Sequence, residues 1–184
     1  MRVKKELLLG EWSVLALLCE QPRHGYGIAT LTARDGEVGR VWTVGQPLVY
    51  RTLDVLRERG LIEVAASTPG QGGPTRTEMT ATPAGREMVD GWLYRPERRL
   101  RNLRSAFILK LVLLKRRGLP VLPLLEAQRL KIEDILRGLR AEARNYGDEV
   151  PIIVTWRISV GEAALAFTEK AIDENRSAGA QISG

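Results

Sequence analysis

Residues 8–20, LLGEWSVLALLCE, read as a helix without a polar side. Wound at 3.6 residues per turn, Trp12, Val14, Leu15, Leu17, Leu18 and Cys19 spread over almost its whole circumference. Such a helix is stable only when other elements cover it all round, so the chain that follows must wrap it. Gln21-Pro22 stops it, Arg23-His24-Gly25 reads as a turn, and a second helix is expected over about Tyr26 to Arg34. With 184 residues, 44% of them apolar, there is chain enough for one ordinary domain or two small ones.

The stretch VGQPLVYRTLDVLRERGLIEV carries a third helix, Gln46 to Arg59. Pro47 suits a first helical position, where its missing N–H is unneeded, and Gly60 suits the left-handed residue after the end. Val49, Leu53 and Leu56 fall on the side expected to enter a core, while Tyr50, Arg51, Asp54 and Glu58 face away from it. Next, LIEVAAST and TRTEMTAT flank PGQGGP. Ile62, Val64 and Ala66 alternate with their neighbours, as do Met79 and Ala81, which predicts two strands around a long glycine- and proline-rich tip. Thr82-Pro83 then supplies an N-cap and a first-turn proline for a helix running to about Tyr94. Three helices, a hairpin and a helix are the order of a winged helix-turn-helix, assigned to residues 1–94.

From Arg95 the pattern is helical throughout. Leu100, Leu103, Phe107, Leu111 and Leu114 keep near-heptad spacing until Gly118; Leu125, Ile132, Ile135 and Leu139 mark a second helix. A last helix from Pro151 lines up Ile153, Trp156, Val160, Ala164, Phe167 and Ala171, and its small residues Gly161, Ala163, Ala164 and Ala166 would let another helix approach closely. The fold class expected is thus mainly α with a small β-hairpin wing. Residues 95–184 are expected to form a helical dimerisation domain, with a disordered tail expected over about 176–184.

The chain has one cysteine, Cys19, and one histidine, His24. An internal disulfide, a cysteine-based zinc site, a Ser-His arrangement and a multi-histidine metal site all lack parts. An enzyme is not expected, nor a metal or cofactor. His24 is assigned to capping or packing its turn, since one imidazole needs partners to act as a sensor. No apolar run approaches the roughly 18 to 20 residues needed to cross a bilayer, and no signal peptide is apparent, so a cytoplasmic protein without membrane contact is expected.

Net charge is +6, which favours an anionic partner, but residues 1–95 hold twelve Lys/Arg against eleven Asp/Glu, net +1, and the rest carry +5. Placement must therefore decide. In a helix-turn-helix the second helix of the motif meets base edges with its N-terminal residues. Gln46, Pro47, Tyr50 and Arg51 lie at those positions; arginine can pair with guanine, glutamine with adenine, and Tyr50 can reach a phosphate or a thymine methyl. The competing reading pairs Arg51 with Asp54 or Glu58 on a solvated surface. At the hairpin tip, Gly72 and Gly73 permit close backbone approach, and Thr75 and Arg76 suit a phosphate or minor-groove contact, although a plain surface loop would have the same composition.

PRHGY after the apolar helix, LVYRTLDVLRERGLI, a GGP wing and TPAGR together resemble the PadR family of bacterial transcriptional regulators, closely over about residues 8–90. FILKL at 107–111, the long middle helix and the aromatic-bearing last helix are similar to that family's longer C-terminal dimerisation domain. The resemblance implies that Tyr26 and Tyr50 lie near the DNA backbone and that the residues before Tyr50 read the groove. It also implies an effector-responsive repressor that acts as a homodimer on a near-palindromic duplex operator. Ile153, Trp156, Val160, Ala164 and Phe167 would then be the dimer seam. Relatives commonly respond to small aromatic or apolar molecules, which points to Trp12 and Trp92, with Trp156 next, against the alternative that each tryptophan is plain packing. The sequence departs from the family pattern at Gly45-Gln46-Pro47-Leu48, where Ser/Thr-x-Gly-Thr is frequent, and at Arg51, where proline often follows the tyrosine. Arg51 thereby becomes a candidate specificity residue. A winged-helix module that binds another protein and no specific DNA is the alternative function.

Overall fold

The computed structural model describes residues 6–68 and 76–182. They form two compact units: one comprises the chain up to Leu93 together with Ile108–Arg117, the other Tyr94–Phe107 and the chain from Gly118 onward. The chain therefore crosses between units three times, after Leu93, Phe107 and Arg117, not once after residue 94. No helix among the described residues is long and apolar enough to cross a membrane.

The first unit contains α1 (Leu9–Glu20), β1 (Arg23–His24), α2 (Gly25–Thr32), α3 (Gln46–Glu58), β2 (Ile62–Thr68), β3 (Arg76–Ala81), α4 (Pro83–Leu93) and α5 (Ile108–Arg116). Every residue of α1 from Trp12 to Cys19 is buried, as an all-apolar circumference requires. The helices α3, α4 and α5 and strand β3 pack around it. Gly85, the glycine of TPAGR, lets α4 sit close to the neighbouring backbone: a Cβ there would stand 2.2 Å from the Leu61 carbonyl oxygen. Thr82 Oγ1 accepts from Gly85 N and donates to Gly60 O, and Gly60 has φ +69, so the cap and the left-handed turn sit where the residues predict. Pro47 occupies the second helical position, because α3 begins at Gln46.

The sheet has three strands, in the order β1-β3-β2 and antiparallel throughout. Arg23-His24, expected as a turn, instead pairs with Met79 and Glu78 as a short third strand. Ile62 is buried while Val64 and Ala66 are exposed, and a bulge lies between Val64 and Ala66, so the predicted inward alternation is not kept along β2.

Charged contacts fasten the rim of α1. Arg86 Nη1 donates to Cys19 O at 2.7 Å, and Arg116 clasps Glu20 through Nε and Nη2, both at 2.8 Å, while also pairing with Glu37. The hydrogen bond to Glu20 raises the Arg116 pKa and keeps the guanidinium charged. Burial pushes the Cys19 thiol up to about 11, against the opposing pull of Arg117 and Arg86.

In the second unit the expected single helix over 100–114 is divided. A 3-10 turn at Leu100–Asn102 leads into a π segment, Leu103–Phe107, ahead of α5 in the first unit. Then follow α6 (Leu122–Arg144) and α7 (Ile152–Ile182), packed along each other. Gly147, with φ +59, precedes α7, whose backbone runs on through residues 176–182, where an irregular tail is expected. Among the α7 residues whose burial is described, the buried ones are Val154, Gly161, Thr168 and Ile172, at heptad spacing. The stripe read from the sequence lies beside this one: Ile153 is 58% exposed, Trp156 64% and Phe167 46%, with Val160, Ala164 and Ala171 half-buried. Gly161 meets α6, since a Cβ there would come within 2.7 Å of Leu136 Cδ2.

Candidate nucleic-acid interface

The surface built by α2 and α3 begins with the cap of α2. Gly27 N donates to His24 Nδ1 at 2.9 Å, so the single histidine closes the helix start. Thr32, fully buried, donates to Val44 O at 3.0 Å and holds the entry to α3. That entry leaves Gln46, Pro47, Tyr50 and Arg51 exposed on the first turns of α3 while Val49, Thr52, Leu53 and Leu56 turn inward. Tyr26, on α2, is 64% exposed and borders the same surface. A groove of about 490 Å3 runs between them, lined by Tyr26, Thr30, Asp35, Gly36, Gly45 and Gln46.

Side-chain geometry decides how Arg51 is engaged. Asp54 pairs with Arg57, Nη2 to Oδ1 at 3.2 Å, and among the described residues no ion pair or hydrogen bond occupies the Arg51 side chain. Its guanidinium stands in solvent with its donors unspent. Thus five of the predicted DNA-binding residues, Tyr26, Gln46, Pro47, Tyr50 and Arg51, occur together on one exposed surface. Gly72, Gly73 and Thr75 lie outside the described residues. Arg76 opens β3 opposite Thr68.

Residues 14–90 match the sequence model of the Transcriptional regulator PadR-like family. Over these residues the chain is similar to the PadR-like regulators. PadR-like proteins are transcriptional regulators, in keeping with the expectation against an enzyme. Among solved structures the chain is similar to PadR of Bacillus subtilis in complex with operator DNA, with 18% identity and TM-score 0.47, covering 91% of this chain and 99% of that one. It is also similar to the same protein in complex with p-coumaric acid, at 17% identity and TM-score 0.41, covering 91% and 96%. A PadR-like transcriptional regulator from Bacillus cereus is matched at 17% identity and TM-score 0.39, covering 91% and 98%. The likeness to the PadR-like family is carried by the match over residues 14–90. No curated protein matches the chain.

The tryptophans divide. Trp12 and Trp92 are buried and stacked, ring centroids 4.7 Å apart and planes 4° from parallel. The buried Lys110 places Nζ 5.0 Å from the Trp92 ring, a cation–π contact that the PadR-like motifs do not signal. Trp156 belongs to the second unit and is exposed.

Proposed function

We propose that this PadR-like protein is a sequence-specific DNA-binding repressor, active in the cytoplasm as a homodimer on a near-palindromic operator and released by a small aromatic or apolar effector. The observation that carries the reading is the unspent Arg51 guanidinium beside Tyr50 and Gln46 on α3, with the nearest acidic candidate, Asp54, committed to Arg57. An exposed arginine with its donors free can take the two acceptors of a guanine edge, and flanking aromatic and amide groups suit neighbouring bases or phosphates. Tyr26, Tyr50 and the wing residues Gly72, Gly73, Thr75 and Arg76 are assigned to the backbone contacts that fix register.

The outward stripe of α7, Ile153, Trp156, Val160, Ala164 and Phe167, is assigned to the second copy, because α6 already occupies the adjacent stripe. The effector is assigned to the Trp12–Trp92 pair. A ligand there must part the stacked rings, and it would release DNA only by binding the altered geometry more tightly than the operator-bound one. Selection of bound sequences from random duplex DNA tests the central claim. Enrichment of a near-palindromic site supports it, whereas weak, salt-sensitive binding without sequence preference would sink it in favour of a protein-interaction module.

A further inference from the structure

The second unit holds a short segment built with more care than a linker needs. Between Tyr94 and the 3-10 turn, the side-chain amide of Gln128, fully buried in α6, grips both backbone groups of Glu97: Glu97 N donates to Oε1 at 2.7 Å, and Nε2 donates to Glu97 O at 3.0 Å. Asn102 Nδ2 donates to Glu97 Oε2 at 3.0 Å, closing the turn from its other end. Leu103 and Phe107 anchor the π segment inward, with Phe107 edge-on to Phe167 at 6.4 Å. What this fixed backbone presents to solvent is Arg98, Arg99, Arg101 and Arg104.

None of these four arginines has a hydrogen bond or ion pair among the described residues, whereas on α6 and α7 Arg137 pairs with Asp134, Arg140 with Glu162 and Arg176 with Glu126. Four like charges within seven residues repel one another, a repulsion that a bound polyanion would relieve. Because the backbone is already held, binding need not pay to order the segment, only the side chains.

We infer that Arg98, Arg99, Arg101 and Arg104 form a preset phosphate-binding strap for duplex DNA, separate from α3 and the wing. The inference rests on the DNA-binding reading above. Only four residues separate Arg98 from Leu93, the end of α4, so the strap follows the winged helix directly in the chain. It also answers a deficit: the chain through residue 95 carries a net charge of only +1, too little to supply a strong non-specific hold. The strap reads no sequence, since its targets are backbone phosphates.

The test is a salt series of anisotropy titrations on labelled duplex of random sequence, with the full-length protein and two variants at the four positions, all arginines changed to glutamine or all to lysine. The glutamine variant should bind more weakly, and the slope of log K against log salt should become shallower by about 0.9 for each phosphate that is no longer neutralised. The lysine variant should keep the slope, because charge, not guanidinium geometry, is required. An unchanged slope in the glutamine variant would overturn the strap, and if Arg51→Ala still abolished site preference the DNA-binding reading would survive. Wild-type protein that binds no duplex would overturn both. Arginine-dependent binding to phosphatidylserine vesicles, with DNA binding unaffected, would assign the strap to a lipid surface instead. All four side chains are exposed, so folding should persist; single Arg→Gln variants give the same comparison in smaller steps.

Discussion

The ring of Tyr50 on α3 packs on the bare backbone of Gly25 on α2: a Cβ at residue 25 would lie 2.6 Å from Tyr50 Cε1 and 2.9 Å from Cζ. The glycine of PRHGY thus sets where the phenol points. Gly25→Ala should leave a folded protein in which Tyr50 is displaced, weakening DNA binding several-fold with little change in melting temperature. Tyr50→Ala in the same background should add little further loss, since the two changes act on one interaction. Additive losses in DNA titrations would separate the two residues.

Arg51 and Arg76 should behave differently. Arg51→Ala is expected to cost about 1 to 3 kcal/mol on the selected site and to relax preference at one base pair; Arg76→Ala should weaken all sequences evenly. Asp54→Ala should tighten binding modestly by removing a negative charge from the same helix face. Competition binding against single-base variants of the selected site reads all three.

Adjacent residues on α7 should give opposite phenotypes. Val160→Asp, on the outward stripe, should yield a folded monomer that loses operator affinity, by sedimentation and DNA titration. Gly161→Leu, on the stripe facing α6, should lower thermal stability outright, because its side chain meets Leu136. In the dimer, spin labels on the two α3 helices should report a separation of about 34 to 36 Å, one duplex turn. A wild-type monomer at micromolar concentration would defeat this model.

Cys19 should be inert. With its thiol pushed up to about 11, the folded protein binds the proton more tightly than the unfolded chain. Stability contributed by the neutral thiol is full below the unfolded value near 9.0 and falls as pH rises from there toward about 11, by up to about 1.4 kcal/mol per pH unit. Iodoacetamide at pH 8 should label the unfolded chain quickly and the native chain only at the rate of opening. Rapid native labelling would mean that the rim around α1 opens locally.

Planar aromatic compounds that release DNA should change tryptophan emission, because they must part the Trp12–Trp92 stack. The response should vanish in Trp92→Ala, provided that variant still binds DNA. Release that persists in both Trp12→Ala and Trp92→Ala would move attention to Trp156.

Local chemistry made much of this legible. Gly60, Thr82 and Pro83 signal backbone geometry that hardly depends on distant contacts, so α3, the hairpin and α4 could be bounded from the sequence. The small strand at Arg23-His24 could not, because its strand partners are Met79 and Glu78, more than fifty residues away. Nor could the choice between a paired and a free Arg51, since Asp54 can turn toward either Arg51 or Arg57 and only side-chain geometry decides. On α7 the heptad pattern fits two neighbouring stripes; Ile153 and Trp156 drew attention by size, while Gly161 and Thr168, small or polar, are the ones against α6. Gln128 carries no sequence signal at all for its grip on Glu97, which joins residues thirty-one apart.

The threefold crossing of the chain between its units bears on how the protein can be dissected. Helix α5 buries Leu109, Leu113 and Leu114 in the first unit, where its Arg116 clasps Glu20, yet it is encoded after the first segment of the second. Cutting the gene after Leu93 would not yield a winged helix and a remainder, but two incomplete bodies: one with an apolar strip uncovered and Glu20 short of a partner, the other burdened with an orphan helix. A protease nick in the Gly118 region should be better tolerated than one near residue 107, because it leaves α5 joined to the residues before it. A minimal DNA-binding fragment would have to be rebuilt with α5 spliced directly behind α4.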